Sequence, residues 1–358
     1  MKIVTIVGAR PQFIKAAAVS RIIRNKHNEI LVHTGQHYDK NMSDIFFKEM
    51  HIPKPDFNLE VGSDSHARQT AAMLAGIEEI LIDQNPDLLM VYGDTNSTLA
   101  GALAASKINI PIAHVEAGLR SFNMRMPEEQ NRILTDRISS YLFCPTDTAV
   151  VNLRNEGITK GVYNVGDVMC DAVLFYKKEL EKYSPDYFFS RLDVLFGQVE
   201  IPRKYYMATI HRAENTDDIN KIREILKALE GLDEKVIFPV HPRTKPLVKS
   251  LYDENNYENI LFAEPVGYLD MLYFTVNAIK VITDSGGIQK EAYILNTPCV
   301  TIRDQTEWVE TLIGNHNILC KPDSQDIIHK VKNTKTDYSN KKNYYGNGDA
   351  ASKISALL

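Results

Sequence analysis

Short runs of β-branched residues alternate with amphipathic helical stretches, and this alternation most constrains how the chain can fold. Five such runs occur in the first half, and the rhythm restarts after a charged and aromatic stretch near Lys177–Lys204. Strands separated by helices rather than by tight turns are typical of parallel sheets in α/β folds. The predicted strands are Lys2–Val7, Glu29–His33, Leu88–Tyr92, Ile112–Glu116, Tyr141–Cys144, Tyr205–Thr209, Val236–Val240, Ile260–Ala263, Val281–Thr283 and Cys299–Ile302.

The length of the chain indicates two domains. Its 358 residues are enough for two domains of ordinary size, each with its own hydrophobic core. We predict a doubly wound α/β domain over residues 1–170 and a comparable one over residues 171–343. The segment 344–358 is predicted to form a C-terminal helix that packs back onto the first domain.

Composition excludes several classes of partner. With 41 basic and 46 acidic side chains the net charge is −5, so no basic field attracts nucleic acid or an anionic membrane. No apolar run is long enough to cross a bilayer, and the N-terminus lacks a signal-peptide cleavage pattern. We therefore expect a cytoplasmic protein that acts on small molecules.

The cysteines argue against two kinds of site. They are scattered in apolar contexts without C-x-x-C spacing, which favours neither a disulfide framework nor a zinc site. We predict that all four are core thiols, namely Cys144, Cys170, Cys299 and Cys320.

The segment Val281–Glu291 has the layout of a phosphate site. A short apolar strand runs into Asp284-Ser285-Gly286-Gly287 and then into a helix. A helix N-terminus offers unpaired N–H groups and positive partial charge, and glycines let an anion approach the backbone. Glu291 lies about one turn into the helix, where its carboxylate could accept hydrogen bonds from ribose hydroxyls. An ordinary glycine-rich turn explains this string equally well.

In the first half of the chain, charged side chains follow the carboxyl ends of the predicted strands. Ligands bind at these ends in open α/β sheets. Arg10 and Lys15 follow the first strand and could face one anion. Asp94, Glu116 and Glu128 follow later strands, and converging carboxylates would raise the pKa of at least one of them. Taken singly, each acid could instead be a cap, a turn residue or a partner of a helix dipole, and metal binding is the competing interpretation.

Two histidines occupy strand ends in the second half. His211 is followed by Arg212, whereas His241 could equally be structural. Neither has the spacing of a zinc ligand. Trp308, the single tryptophan of the chain, could cover a ligand ring or fill an interface.

Taken together, the strings at these strand ends are specific. They are GARPQFIK, TGQH, GDTNST, HVEAGLRS, MPEEQNR, TIHRAEN, PVHPR, EPVGYLDML, DSGGIQKEA and RDQTEW. The sequence resembles the non-hydrolysing UDP-N-acetylglucosamine 2-epimerases over nearly its entire length. The GARPQF, HRAEN and RDQTEW strings look most like the branch that acts on UDP-2,3-diacetamido uronic acids. The resemblance implies a glycosyltransferase-B-like fold of two Rossmann-like domains, an active site in the cleft between them, and commonly a homodimer.

The resemblance also implies roles for individual residues. The catalytic positions are matched by Asp94, Glu116, Glu128 and His211. Positions that bind the nucleotide sugar are matched by Arg10, Lys15, Arg132, Arg212, His241, Tyr268, Ser285, Gly286, Gly287 and Glu291. Some members bind a second nucleotide sugar as an activator, and the corresponding positions here are Gln36, His37, Arg68 and Gln69. Asp39 stands where those members often carry Gln, which puts activation in doubt.

The implied reaction is cofactor-free epimerisation at carbon 2 of a UDP-N-acetylhexosamine by elimination and re-addition of UDP. Its manno-configured product would supply surface polysaccharide synthesis. The alternatives are a UDP-sugar glycosyltransferase of the same architecture and a non-catalytic nucleotide-sugar sensor. A uronate substrate would use Arg120, Arg125 or Arg303 for its second anion, unless these arginines pair with Glu128, Glu129 or Glu307.

Overall fold

The computed structural model describes residues 1–35, 52–196, 201–255, 257–339 and 341–358. The chain divides into two compact units. Unit 1 comprises Met1–Leu174 together with Asn343–Leu358, and unit 2 comprises Phe175–Lys342.

Unit 1 is built on a parallel sheet that has seven strands within the described residues, in the order β3-β2-β1-β4-β5-β6-β7. The order reverses between β1 and β4, so their carboxyl ends flank a topological switch point, where ligands bind in such sheets. The strands are β1 Lys2–Val7, β2 Asn28–His33, β3 Phe57–Asn58, β4 Leu88–Tyr92, β5 Ile112–Val115, β6 Tyr141–Cys144 and β7 Val162–Asn164.

Helices cover this sheet because each turns an apolar stripe towards it. Met73, Ile77 and Leu81, spaced four residues apart on one helix, are fully buried in the core. The helices are α1 Arg10–Ile23, α2 His66–Gln84, α3 Asn96–Lys107, α4 Pro127–Ile138, α5 Asp147–Asn155 and α6 Val168–Leu180. The last of these crosses the boundary between the units.

Unit 2 repeats the design with six described strands in the order β10-β9-β8-β11-β12-β13. Its switch point lies between β8 and β11. The strands are β8 Tyr205–Thr209, β9 Lys235–Pro239, β10 Ile260–Ala263, β11 Val281–Thr283, β12 Cys299–Ile302 and β13 Asn317–Cys320. The helices are α7 Pro185–Phe189, α8 Ala213–Thr216, α9 Ile219–Glu230, α10 Lys245–Glu254, α11 Tyr268–Val276, α12 Gly286–Leu295 and α13 Ser324–Asn333, with a kinked 3₁₀ segment over Val309–Asn315.

The C-terminal helix α14, Ala350–Leu357, belongs to unit 1 and packs against α1. Asp171 holds its first turn by accepting hydrogen bonds from the backbone N–H groups of Ala350 and Ala351, at 3.1 and 2.8 Å. A carboxylate at this position also suits the positive end of the helix dipole.

The predicted parallel α/β architecture is confirmed. One predicted strand end is wrong in an informative way, because the strand stops at Val115 and Glu116 turns into the left-handed region with φ of 75°. The prediction also missed the short strands β3, β7 and β13. Each lies at or next to the end of its sheet, where a strand needs no continuous apolar run.

The prediction for the cysteines can also be compared with the structure. The four cysteines are free and buried, as predicted. Within the described ranges, no helix is long and apolar enough to cross a membrane. The same residues contain no group of three or more His, Cys, Asp and Glu side chains arranged to hold a metal ion.

Candidate functional site

The turn after β1 packs so closely against two neighbouring hydroxyl groups that Gly8 has no room for a side chain. A Cβ there would lie 2.1 Å from Ser97 Oγ and 2.2 Å from Thr34 Oγ1. Gln12 then fixes the turn, since its Oε1 accepts from the N–H groups of Gly8 and Ala9, and its Nε2 donates to the carbonyl of Tyr92. This side chain ties the end of β1 to the end of β4. Sequence reasoning quoted Gln12 only inside a motif and missed this function.

Lys15 and Glu116 form a buried ion pair beside this turn. Their side chains are 9% and 7% exposed, and Lys15 Nζ donates to Glu116 Oε2. The pair lies against Gly93, where a Cβ would come within 3.1 Å of the ammonium and 3.3 Å of the carboxylate. The positive φ of Glu116 is unusual for a residue with a side chain, and such strain concentrates at functional sites.

Asp94 lies next to this pair and is partly exposed. Its Oδ2 is 3.2 Å from Arg132 Nη1, and Arg132 Nε is in turn 3.3 Å from Glu129 Oε2. Burial raises the pKa of Asp94, and this effect outweighs the lowering by Arg132 and Lys15. The charges of Glu116 and Glu128 raise it further. The structure therefore brings these acids close enough to interact, with one carboxyl displaced towards its protonated form.

The two glutamates at the start of α4 differ in environment. Glu129 is buried and accepts from Ser121 N, Ser121 Oγ and Phe122 N at 2.9 to 3.0 Å, so it holds the preceding loop in place. Glu128 is exposed, and its charge acts on Asp94. Of the two, Glu128 is therefore the one that is accessible for proton exchange.

The buried side chain of His114 is hydrogen-bonded to the turn that follows β4. His114 Nε2 lies 2.7 Å from the carbonyl oxygen of Gly93, and its Nδ1 lies 2.7 Å from Asp136 Oδ1. Because a carbonyl oxygen only accepts, Nε2 carries a proton. Burial alone would raise the pKa of Asp136, but the charges and hydrogen bonds of His114 and Arg120 outweigh it and lower that pKa. Sequence reasoning gave His114 and Asp136 no role, because the signal for either needs the fold.

The arginines expected to be available for a second anion are mostly engaged. Arg120 makes a bidentate pair with Glu156, at 2.6 and 2.8 Å, and lies 2.8 Å from Asp136. Arg303 pairs with Glu307 at 3.0 Å, as the alternative interpretation expected. The Arg120 guanidinium is buried between two carboxylates of unit 1, and neither of them is among the partners that the sequence suggested. Arg125 is exposed.

The positions matched to an activator site are only partly described. Gln36 and His37 lie outside the described residues, as does the side chain of Arg10. Arg68 is exposed, whereas Gln69 is buried, donates to the carbonyl of Gly62 at 2.8 Å and accepts from Asn96 Nδ2 at 2.9 Å.

In unit 2, the turn after β8 is anchored to the end of β11. The fully buried Asp284 accepts from the backbone N–H groups of His211 and Arg212 and from Asn215 Nδ2, at 2.9 to 3.1 Å. The His211 ring is 35% exposed, with Nδ1 3.6 Å from Asp284 Oδ1. It lies 5.1 Å from the exposed ring of His241, centroid to centroid. Asp284 thus orients His211 rather than facing an anion itself.

The predicted phosphate turn forms the N-terminus of α12. Ser285 is the N-cap, and its Oγ accepts from Ile288 N at 3.5 Å. Gly287 is open, but a Cβ on Gly286 would lie 2.4 Å from Glu307 Oε1. The first turn has unpaired backbone N–H groups, as every helix N-terminus does, and the Glu307 carboxylate lies beside its first residue.

Three other predicted residues are buried in unit 2. Glu291 lies on α12 with 3% of its surface exposed. The Tyr268 ring packs edge-on to Tyr176, with centroids 5.5 Å apart. Trp308 lies beneath Lys290 Nζ, which is 4.0 Å from its ring centroid, so the indole packs on α12 within unit 2.

Each unit thus gathers its own set of predicted residues at its switch point. Unit 1 brings together Lys15, Asp94, Glu116 and Arg132, with the charge of Glu128 close by. Unit 2 brings together His211, Arg212, Ser285 and Gly286, with His241 beside them.

Comparison with known proteins identifies the family to which the chain is similar. The family model described as UDP-N-acetylglucosamine 2-epimerase matches residues 21–358. A UDP-N-acetylglucosamine 2-epimerase homolog of Methanococcus maripaludis is 53% identical, with 100% of this chain and 99% of that protein covered. The UDP-2,3-diacetamido-2,3-dideoxy-D-glucuronate 2-epimerase of Pseudomonas aeruginosa is 46% identical, with 100% and 99% covered.

A solved structure agrees. The crystal structure of Methanocaldococcus jannaschii UDP-GlcNAc 2-epimerase in complex with UDP-GlcNAc and UDP matches with a TM-score of 0.89 at 42% identity, covering 100% of this chain and 99% of that one. The predicted glycosyltransferase-B-like fold class is thereby confirmed. Family match, full-length identity and fold all agree, and the chain therefore belongs to the UDP-N-acetylglucosamine 2-epimerase family.

Proposed function

We propose that this protein inverts carbon 2 of a UDP-N-acetylhexosamine without a cofactor. The observation that carries the proposal is the cluster of Asp94, Glu116 and Lys15 at the switch point of unit 1, in a chain of this family. Proton exchange with a sugar needs carboxyl groups that can both give and take a proton near neutral pH. A raised pKa for Asp94, together with the accessible Glu128, supports this use.

The chemistry has to overcome an unreactive proton, because carbon 2 has no adjacent carbonyl. In the proposed route a carboxylate removes the proton from carbon 2 while the bond from carbon 1 to the UDP oxygen breaks. This step yields UDP and a 2-acetamidoglycal. A carboxyl group then protonates carbon 2 from the opposite face, and UDP adds back at carbon 1.

We assign proton transfer to Glu116 and Glu128, with Asp94 as an interacting third acid. The leaving diphosphate is assigned to the N-terminus of α12 with Ser285, Gly286 and Gly287, since preorganised N–H groups stabilise developing negative charge without reorganisation. His211, the fourth predicted catalytic residue, is assigned to stabilise the leaving diphosphate. The remaining predicted contacts to the nucleotide sugar stay proposals, namely Arg10, Lys15, Arg132, Arg212, His241, Tyr268 and Glu291.

The finer features of the function are also proposals. The relatives include both UDP-N-acetylglucosamine and diacetamido-glucuronate 2-epimerases. We retain a preference for the uronate as a prediction, with the exposed Arg125 as the remaining arginine of the three considered. A homodimer, a cytoplasmic location and a role in surface polysaccharide synthesis stay predictions from the family.

The test is direct incubation with each UDP-sugar, followed by NMR detection of the manno epimer. We expect the epimer from at least one of the two sugars, and the ratio of specificity constants measures the preference. Transfer of the sugar to an acceptor, with no epimer from either substrate, would contradict the proposal and support the glycosyltransferase alternative.

A further inference from the structure

A carboxylate of the chain itself, that of Glu307, lies beside the first residue of α12. A Cβ on Gly286 would lie 2.4 Å from Glu307 Oε1, so this oxygen occupies the space beside the first residue of the helix. Two guanidinium groups flank it, with Arg303 Nη1 3.0 Å from Oε2 and Arg212 Nη2 3.9 Å from Oε1. A helix N-terminus with nearby arginines is the environment that proteins offer to phosphate groups.

The loop that carries Glu307 is fixed on both sides. Thr306 Oγ1 donates to Gln289 Oε1 on α12 at 2.7 Å, and the N–H of Trp308 donates to Thr306 Oγ1 at 3.1 Å. Asn317 Nδ2 donates to the same Gln289 oxygen at 3.1 Å. With the backbone held in this way, rotation of the Glu307 side chain is the motion by which its carboxylate can leave the helix.

The buried Nε–H group of Arg303 has no hydrogen-bond acceptor among the described residues. Its side chain is 5% exposed, and its Nε makes no hydrogen bond to any atom in the described part of the chain. A guanidinium presents five N–H donors in a rigid fork, and burying one without a partner is unfavourable. A phosphate offers more acceptor positions than the carboxylate that Arg303 now contacts.

We propose that Glu307 is an internal substitute for a substrate phosphate and sets the affinity for the nucleotide. This inference rests on the proposed function, which places the diphosphate at the α12 N-terminus. A phosphate and a carboxylate repel each other at one helix end, so Glu307 must rotate away as the diphosphate binds. Arg212 and Arg303 then turn their donors to the phosphate. The contacts broken in this exchange weaken nucleotide binding.

The experiment measures binding of UDP, UMP and uridine to the full chain by calorimetry or NMR titration. Glu307→Gln keeps the shape and an acceptor for Arg303 but removes the charge. We expect it to bind UDP about twofold to fivefold more tightly than wild type, because one charge at a helix terminus is worth about 0.3–1 kcal/mol. The gain should shrink with UMP and vanish with uridine. Asp304→Asn, the same charge change at an exposed position on the same loop, should leave all three affinities unchanged.

The outcomes separate the two proposals. If wild type binds UDP but Glu307→Gln binds it equally or more weakly, Glu307 is not a phosphate substitute. A similar gain for uridine would overturn the inference as well. If wild type does not bind UDP, the proposed function itself fails. Should Glu307→Gln not fold, Glu307→Asp keeps the charge but draws it back from Gly286, and we expect a smaller gain for UDP. An unchanged or weaker affinity in that variant would contradict the inference.

Discussion

The charged groups at the two switch points of this molecule come from different parts of the polypeptide. In unit 1 the charges are on side chains and neutralise one another, as in the pair of Lys15 with Glu116 and the contacts of Arg132 with Asp94 and Glu129. In unit 2 the positive potential comes from backbone N–H groups at the start of α12 and from the guanidinium groups of Arg212 and Arg303, none of which exchanges protons near neutral pH. Carboxyl groups can exchange protons, whereas backbone dipoles and guanidinium groups can only bind. The comparison assigns chemistry to the first region and binding to the second.

The largest expected effect tests the chemical role of unit 1. Glu116→Gln and Glu128→Gln remove the ability to transfer a proton at these positions, which typically lowers turnover about a hundredfold to ten-thousandfold. Affinity for UDP should change far less, because the diphosphate is assigned to the N-terminus of α12 and the ribose to Glu291, both in unit 2. Steady-state kinetics together with UDP titration measures both quantities. Near-normal turnover in both variants would remove the proton-transfer assignment.

The next prediction concerns the buried contacts of Asp136 in unit 1. Asp136→Asn weakens the buried contacts to His114 and Arg120 together, and we expect it to lower the free energy of unfolding by about 3–5 kcal/mol. The matched control is Asp326→Asn, which breaks a partly exposed pair with Lys330 and should lower it by about 0.5 kcal/mol. Urea unfolding measures both. Equal losses in the two variants would show that the buried network has no special weight.

A binding defect without a chemical defect is expected in unit 2. Glu291→Gln removes the charged acceptor assigned to the ribose hydroxyls, and a hydrogen bond to a charged group is worth about 1.5–3 kcal/mol. We expect at least about tenfold weaker UDP binding with little change in turnover at saturation. If turnover falls while the affinity for UDP holds, Glu291 belongs with the chemistry and the division between the two regions is wrong.

The smallest effect is a pH dependence of stability due to Asp94. Because its pKa is raised in the folded protein, the folded state binds the proton more tightly than the unfolded state. The resulting destabilisation is absent below the unfolded pKa and appears as the pH rises through the interval up to the folded pKa. The urea midpoint of Asp94→Asn should therefore increase relative to that of wild type as the pH rises above about 4. A constant difference over that range would contradict the raised pKa.

Much of this fold could be predicted because buried strands and amphipathic helices have recognisable patterns of apolar residues in the local sequence. Buried parallel strands such as Leu88–Tyr92 are continuous apolar runs, so their bounds were predicted correctly. The short edge strand Phe57–Asn58 carries no such run. Glu116 has a left-handed backbone conformation, and its side chain pairs with Lys15, which lies 101 residues away in sequence.

The candidate residues could be selected from motifs, but not their partners. Glu128 and Glu129 look alike in sequence, and only the loop at Ser121 and Phe122 makes one of them structural. Likewise, the spacing of Arg120 does not reveal Glu156, which reaches it through the packing of α5. Pairing of charges is a property of tertiary contacts, and it decides which side chains remain available for a ligand.

The most direct test of the elimination route is epimerisation in deuterated water. The proton removed from carbon 2 exchanges with solvent on the carboxyl group before the opposite face is protonated. We therefore expect the manno product to carry deuterium at carbon 2, with some UDP and 2-acetamidoglycal released on long incubation. A product that retains the original proton at carbon 2 would contradict the mechanism proposed for this protein.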